Sequence, residues 1–143
     1  MHLHYLLVII QFAGILYFAL TGNVFPENIL VFLFELSSVV IGLWAIVSMK
    51  LHTLTILPSV KQGGRLCVSG PYRVIRHPMY TAVLLLLLGL LINNYSYIGL
   101  IVFVVVLVDL LVKMNVEEKI LLAHYDEYKA YMLRTKRIVP FLY

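Results

Sequence analysis

Four apolar stretches limit what this chain can fold into more than any other feature of its sequence. They cover residues 3–20, 29–49, 79–92 and 97–112. The first two are long enough to cross about 30 Å of hydrocarbon as helices, but the last two fall short of the roughly 20 residues that a span usually needs. Because a backbone inside hydrocarbon must satisfy its own hydrogen bonds, all four are predicted to be helical.

The composition supports a membrane protein, since 62% of the 143 residues are hydrophobic and 13% are charged. We therefore predict an all-α, polytopic membrane helical bundle with four transmembrane helices, a helical hairpin and a cytoplasmic C-terminal helix. Residues 1–143 are expected to form a single integral membrane domain, with two N-terminal spans in residues 1–50 and a second unit in residues 51–143. The first stretch begins without Lys or Arg and precedes no convincing cleavage site, so it is expected to be a retained helix rather than a signal peptide.

The two short stretches are predicted to pair as a hairpin that turns at residues 93–96, with Pro78 in the first turn of its first helix. Such a turn would bring His77 and Tyr80 close to Lys113 and Glu117. Beyond the hairpin, Glu117 lies either in the first turn of a new helix or in a middle turn of a continuous one. Residues 139–143 form an apolar tail that is expected to fold back onto the bundle or the interface.

The basic residues predict the orientation of the chain in the membrane. None occurs in the connections 21–28 and 93–96, so the positive-inside rule places both termini and the basic segments in the cytoplasm. Basic residues near the membrane surface can also bind anionic lipid headgroups, whereas they form no groove-sized surface that would bind nucleic acid. The eleven basic residues are Lys50, Lys61, Arg65, Arg73, Arg76, Lys113, Lys119, Lys129, Arg134, Lys136 and Arg137.

The segment Arg76-His77-Pro78 places ionisable groups where the chain enters the bilayer, a costly position that requires solvation by headgroups, water or a polar ligand. With Tyr80, Lys113 and Glu117 beside it, the pocket would have aromatic walls, a carboxylate and a cation. Such a pocket suits a zwitterionic ligand with an amino-acid head, and its tyrosines can face a delocalised base or a sulfonium cation. S-adenosylmethionine has these parts.

Other kinds of site fit the sequence less well. There is no HExxH, CxxC or closely spaced His/Cys set, so no metal site is predicted, and no GxSxG motif occurs. Cys67 is the one cysteine and cannot form an internal disulfide. Glu35 and Asp109 lie inside predicted spans and are functional candidates by default. Alternatively, Glu35 snorkels to the outer end of its helix, and Asp109 pairs with Lys113 one turn away.

Several motifs together resemble the isoprenylcysteine carboxyl methyltransferase family and its phospholipid methyltransferase relatives. The resemblance covers roughly residues 51–143 and identifies that unit as a cofactor-binding methyltransferase core. The motifs that carry it are Ser69-Gly70-Pro71-Tyr72-x3-Arg76-His77-Pro78-Met79-Tyr80, the hairpin, Glu117-Glu118-x6-Tyr125-x2-Tyr128-x2-Tyr131 and Val139-Pro140-Phe141.

The resemblance implies a cytosol-facing site for S-adenosylmethionine, which leaves as S-adenosylhomocysteine, and a lipophilic acceptor that enters from the bilayer. On the acceptor side, Lys113 stands where the family commonly has Arg, Arg134 matches a basic position before the tail, and Leu57 replaces a glutamine of some members. Because the chain is short, the acceptor channel is completed by a homodimer or left more open. The cofactor positions implied are Gly64, Arg65, Leu66, Cys67, Tyr72, His77, Pro78, Met79, Tyr80 and Glu117.

The chemical nature of the methyl acceptor determines which further residues the reaction needs. We expect carboxyl methylation of an isoprenylcysteine-like, prenylated substrate, in which Lys113 or Arg134 positions an ionised carboxylate. A phospholipid amine is the alternative, and it would need a base such as Glu118 or His124. Two rival classes are an NADPH-dependent membrane reductase of the sterol-reductase kind, whose 2′-phosphate would need the basic residues 134–137, and a non-enzymatic membrane interaction module.

Overall fold

The computed structural model describes residues 2–22, 25–26, 28–49, 66–140 and 142. Over these residues the chain forms five α-helices and one short 3-10 helix, and no strand beyond an isolated bridge, so the predicted all-α class is confirmed. The elements are α1 (His2–Thr21), α2 (Ile29–Met49), the 3-10 helix (Gly70–Arg73), α3 (Pro78–Asn93), α4 (Tyr97–His124) and α5 (Tyr128–Arg134).

Three of these helices are long and apolar enough to cross a membrane, namely α1, α2 and α4. Helix α3 is also apolar, but its 16 residues rise only about 24 Å. The prediction of two full-length N-terminal helices followed by a short third one is therefore confirmed. The orientation of the helices in the membrane and the division of the chain at residue 50 stay predictions.

Helix α4 runs without a break through the segment that the sequence left open. It has 28 residues, which corresponds to a length of about 42 Å, so it extends well beyond the predicted end of its apolar stretch at Val112. Glu117 and Glu118 consequently lie in a middle turn of a continuous helix. This continuity fixes their direction relative to Lys113, because residues four apart project from the same side of a helix.

The helices pack in pairs, with α2 against α3 and α1 against α4. A buried core joins α1, α3, α4 and the C-terminal tail through Phe18, Leu87, Leu110, Met114 and Ile138. Many other apolar side chains of the long helices are exposed, which is how a helix that faces lipid differs from one in water. The bundle therefore keeps its small core around the hairpin.

The predicted turn between α3 and α4 is confirmed at residues 93–96. The Asn94 side chain donates to the carbonyl of Thr21 at 2.7 Å, which ties the turn to the end of α1. Ser96 begins α4 as an N-cap, and its hydroxyl accepts from the backbone N–H of Gly99 at 2.9 Å. The closed turn makes α3 and α4 antiparallel neighbours, so the start of α3 lies beside the last third of α4.

Residues 135–138, which we call the strap, fold back beside the segment that leads into α3. Ile75 and Lys136 form a parallel bridge, and the N–H of His77 donates to the carbonyl of Arg137 at 3.0 Å. The Thr81 hydroxyl adds a bond to the Ile138 carbonyl at 3.0 Å. The expected return of the tail at residues 139–143 stays a prediction, since residues 141 and 143 lie outside the described residues, but the strap that precedes Val139 does return to the bundle.

The predicted turn at Gly70-Pro71 appears as the 3-10 helix. Gly70 has φ +56°, a conformation that L side chains rarely adopt, and its α-carbon lies against Ser48 and Trp44 of α2. A side chain at this position would collide with Ser48. The glycine therefore allows the entry to α3 to pack directly on α2.

Candidate active site

The hairpin brings His77 and Glu117 into contact, with 3.5 Å between Nδ1 and a carboxylate oxygen of Glu117. The Tyr80 hydroxyl donates to the other oxygen of the same carboxylate. The rings of His77 and Tyr80 are stacked, with centroids 5.6 Å apart and planes 8° from parallel. We call His77, Tyr80 and Glu117 the Glu117 cluster. The residues that the sequence predicted to converge at the end of the hairpin are therefore neighbours.

Glu117 differs from its two partners in exposure. Its side chain is 22% accessible, whereas that of His77 is 5% accessible. The cluster thus presents one partly open carboxylate on an aromatic wall. A carboxylate in that position can accept hydrogen bonds from an external ammonium as well as from the Tyr80 hydroxyl.

Glu118 is adjacent in sequence but enters a different set of contacts. Its carboxylate binds Arg76 Nε at 2.8 Å and Arg137 Nη2 at 2.6 Å, so that a guanidinium lies on each oxygen. The Arg76 guanidinium also donates to the carbonyl of Thr135 at 2.5 Å. We call Arg76, Glu118 and Arg137 the Glu118 clamp. It links the entry to α3, the helix α4 and the strap through one buried carboxylate.

His77 lies between the two carboxylates, since its Nε2 is 3.4 Å from Glu118 while its Nδ1 faces Glu117. Burial lowers the pKa of His77, but the hydrogen bonds and negative charges of Glu117 and Glu118 raise it further than burial lowers it. A neutral imidazole donates from only one nitrogen, so contacts on both sides favour the doubly protonated ring. The two carboxylates therefore favour the protonated form of His77, which couples the cluster to the clamp.

Lys113 lies on the membrane side of the Glu117 cluster. It is 2% exposed, its Nζ is 5.2 Å from the centroid of the Tyr80 ring, and it donates to the side-chain oxygen of Gln11 at 2.5 Å. The contact with Tyr80 is a cation–π interaction in a buried place. Lys113 thus places a cation next to the cluster, with its direction set by a residue of α1.

Asp109 and Glu35 are both buried, at 4% and 5% exposure. Within the described part of the chain, neither oxygen of Asp109 has a hydrogen-bond partner, so the expected pairing with Lys113 is absent. Glu35 packs against Gly89 of α3 instead of snorkelling, because the glycine leaves room for a side chain between the two helices. Both sequence-based alternatives for these residues are therefore wrong.

The remaining predicted cofactor positions fall near the end of α2. The Cys67 thiol donates to the carbonyl of Ser48 at 3.3 Å, and buried Tyr72 directs its hydroxyl to Met49. Leu66 is half-buried beside them, and Pro78 and Met79 form the first turn of α3. Gly64 and Arg65 lie outside the described residues.

Arg134, which was predicted on the acceptor side, lies on the exposed side of α5 and hydrogen-bonds the carbonyl of Ala130 at 3.4 Å. Sequence reasoning gave Arg137 a role only in the phosphate site of the reductase alternative, and it gave Gln11 none. The sequence offers only weak evidence for Arg137, because a run of neighbouring basic residues is typical of an exposed surface. The signal for Gln11 was clearer, since an amide in the middle of an apolar helix needs a polar partner.

Comparison with known proteins identifies the family of the chain. No curated protein sequence matches the chain significantly. The model of the family described as phospholipid methyltransferase matches residues 27–128, which include α2, the hairpin and all of α4. The Glu117 cluster lies wholly inside the matched region, whereas Gln11 and the strap lie outside it. On this match, and with its long apolar helices, the chain belongs to the phospholipid methyltransferase family of integral membrane methyltransferases.

Proposed function

We propose that the protein transfers a methyl group from S-adenosylmethionine to a lipophilic acceptor drawn from the bilayer. The observation that carries the proposal is the Glu117 cluster, in which a partly open carboxylate lies on an aromatic wall at the end of a membrane hairpin. When bound, S-adenosylmethionine supplies a methyl carbon that bonds to an acceptor lone pair as the carbon–sulfur bond breaks, with its electron pair staying on sulfur as S-adenosylhomocysteine.

The residues of the cluster fit such a donor. The exposed edge of the Glu117 carboxylate would hold the ammonium of its amino-acid head, because an ionised acceptor makes the stronger hydrogen bonds. Tyr80 and Tyr72 would line the cofactor site with aromatic surface, which favours a sulfonium and a purine base. His77 acts on the site through Glu117, whose second oxygen it holds in place.

Catalysis by this chain is mainly a matter of position and exclusion of water. The sulfonium sulfur loses its positive charge during transfer, so the transfer is fastest in a dry site that aligns the donor and the acceptor. The buried surroundings of Lys113, Tyr80 and His77 provide such a site on the membrane side of Glu117. We place the site at the cytoplasmic face of the membrane, which rests on the distribution of basic residues in the sequence.

For the acceptor, our first proposal is the carboxylate of a prenylated cysteine or a related isoprenoid acid. Its support is Lys113, a buried cation beside Tyr80 that could hold an ionised oxygen in line with the donor. Arg134 on exposed α5 would contribute only if the helix moved, so it is secondary in this proposal.

A phospholipid amine is the second candidate, and the family description favours it. A lipid ammonium must lose its proton before it can accept a methyl group. Glu118 is poorly suited as the base because two guanidinium groups hold its oxygens. Asp109 is better suited, since within the described residues its carboxylate is buried and has no hydrogen-bond partner.

The experiment that tests this proposal is a transfer assay with methyl-labelled S-adenosylmethionine and purified protein in lipid nanodiscs. Acceptors are a prenylated N-acetylcysteine and phosphatidylethanolamine, and Glu117→Gln is the matched control. Labelled methyl ester is hydrolysed by base, whereas labelled N-methyl groups are not, so base treatment separates the two acceptors. Transfer to neither acceptor nor to total lipid, together with oxidation of NADPH by the same protein, would instead support the reductase.

A further inference from the structure

Lys113 and Asp109 are one turn apart on α4, a spacing at which opposite charges normally pair on a helix surface. Two carboxylates are close enough for their charges to act on Lys113, first Glu117 and then Asp109. Nevertheless, neither oxygen of Asp109 has a hydrogen-bond partner in the described part of the chain, and Lys113 points to Gln11. Lys113 and Asp109 are thus both buried but do not form an ion pair, and we call this arrangement the open pair.

The contact that holds it open comes from a distant part of the sequence. Gln11 lies on α1, 102 residues before Lys113, and its side-chain oxygen is 2.5 Å from Nζ. Helix α1 is fixed against α4 by close packing, since Gly14 lies directly against Val106. Gln11 lies one turn before Gly14 on α1, so the packing of Gly14 against Val106 sets the position of Gln11 relative to α4.

We infer that Gln11 is a positioning residue that holds the Lys113 ammonium away from Asp109 and so keeps both charges available on the acceptor side of the site. This inference deepens the proposed function and rests on it for its meaning. Without the amide, Lys113 would pair with Asp109, because Glu117 is already bound by His77 and Tyr80 and a buried charge that lacks a partner is costly. The closed pair would cancel both charges, leaving a carboxylate acceptor no free cation and an amine acceptor no free carboxylate.

The inference also gives α1 a role in the site. The family match begins at residue 27, so α1 lies outside it. In the structure, α1 nevertheless provides the one side chain seen to accept a hydrogen bond from Lys113 among the described residues. Helix α1 is thus part of the acceptor site as well as of the membrane anchor.

The test uses dicyclohexylcarbodiimide, an apolar reagent for buried carboxyls that lack an ion-pair partner. The carboxyl adds across the carbodiimide, and acyl migration leaves a stable N-acylurea that mass spectrometry assigns to a residue. In the full-length protein in nanodiscs, we expect labelling at Asp109. In Gln11→Leu, the rate at Asp109 should fall about tenfold, the factor that about 1.4 kcal/mol of new pairing gives.

Two further variants distinguish this role from a general loss of packing. In Gln11→Leu combined with Lys113→Met, the pair cannot close, so labelling of Asp109 should recover to at least the wild-type rate. Phe12→Leu, a change at an exposed neighbour on α1, should leave the rate unchanged. Glu35 is a second buried carboxyl with an unpartnered oxygen among the described residues, and it serves as an internal reference on α2.

Three results would overturn the inference: an unlabelled Asp109 in the wild type, an unchanged rate in Gln11→Leu, or an equal fall at Glu35 and Asp109. Because the labelling needs neither donor nor acceptor, it separates this inference from the proposed function. Normal labelling in a protein that transfers no methyl group would refute the function and leave the open pair standing.

Discussion

Glu117 and Glu118 are consecutive residues of one helix, but the structure uses them in opposite ways. Glu118 is 3% exposed and lies between Arg76 and Arg137, so the Glu118 clamp is a closed set of charges. The side chain of Glu117 is 22% exposed, and among the described residues it forms an ion pair with His77 and accepts a hydrogen bond from the Tyr80 hydroxyl. The comparison separates a carboxylate that holds three segments together from one that remains available to a ligand.

The largest expected effect is the loss of stability when the Glu118 clamp is broken. Glu118→Gln removes the charge between two guanidinium groups, and breaking a buried ion pair from one side costs about 3–5 kcal/mol. We expect a large fall in the thermal unfolding temperature of the detergent-solubilised protein. The fluorescence of Trp44 measures this temperature. Glu117→Gln is the matched control one residue away, and it should cost less, because in the described part of the chain the partly exposed Glu117 carboxylate binds no guanidinium group whereas Glu118 binds two. Equal destabilisation by the two variants would break the distinction between clamp and cluster.

An intermediate effect is expected at Lys113, beside the cluster. Lys113→Met keeps the length of the side chain but removes its charge, and a hydrogen bond to a charged group contributes about 1.5–3 kcal/mol. With a carboxylate acceptor, turnover should fall about 10- to 100-fold. The affinity for S-adenosylmethionine should stay within about twofold of wild type, because Glu117 is unchanged. A matched loss of turnover and cofactor affinity would show that Lys113 belongs to the donor side.

The smallest effect is a dependence of stability on pH through His77, which couples the cluster to the clamp. Its pKa is raised in the folded protein by Glu117 and Glu118. The charged ring therefore stabilises the fold fully below its ordinary pKa of about 6.5. That contribution is lost as the pH rises through the raised value. Thermal unfolding should show the loss in the wild type and not in His77→Gln, whereas a change in the opposite direction would contradict the assignment.

How far the sequence predicts this molecule depends on which interactions are local. The apolar stretches and the Asn94 turn determine the hairpin, and the hairpin determines that His77 lies near Glu117. The sequence left two questions open: whether α4 is continuous, and whether Asp109 pairs with Lys113. Both answers depend on how the helices pack. Helix continuity through residues 112–118 is not visible in an apolar pattern that ends at Val112.

The clamp was out of reach of sequence reasoning for a physical reason. Arg76 and Arg137 lie in irregular segments before and after helices, where no periodicity gives the direction of a side chain. Their meeting at Glu118 depends on the strap, whose carbonyls accept hydrogen bonds from the His77 N–H and the Thr81 hydroxyl, two groups far away in sequence. Likewise, Gln11 could be recognised as in need of a partner, but that partner is fixed by the way α1 packs on α4.

The most direct test of the account is the calorimetric titration of S-adenosylmethionine into the wild type and into Glu117→Gln, with Glu127→Gln as an exposed control. If the cluster holds the ammonium of the donor, the wild type and Glu127→Gln bind alike. Glu117→Gln then binds about 10- to 100-fold more weakly, since a charged hydrogen bond is lost. Equal affinity in Glu117→Gln, in a protein that unfolds at the wild-type temperature, would contradict the assignment of the cluster as the donor site.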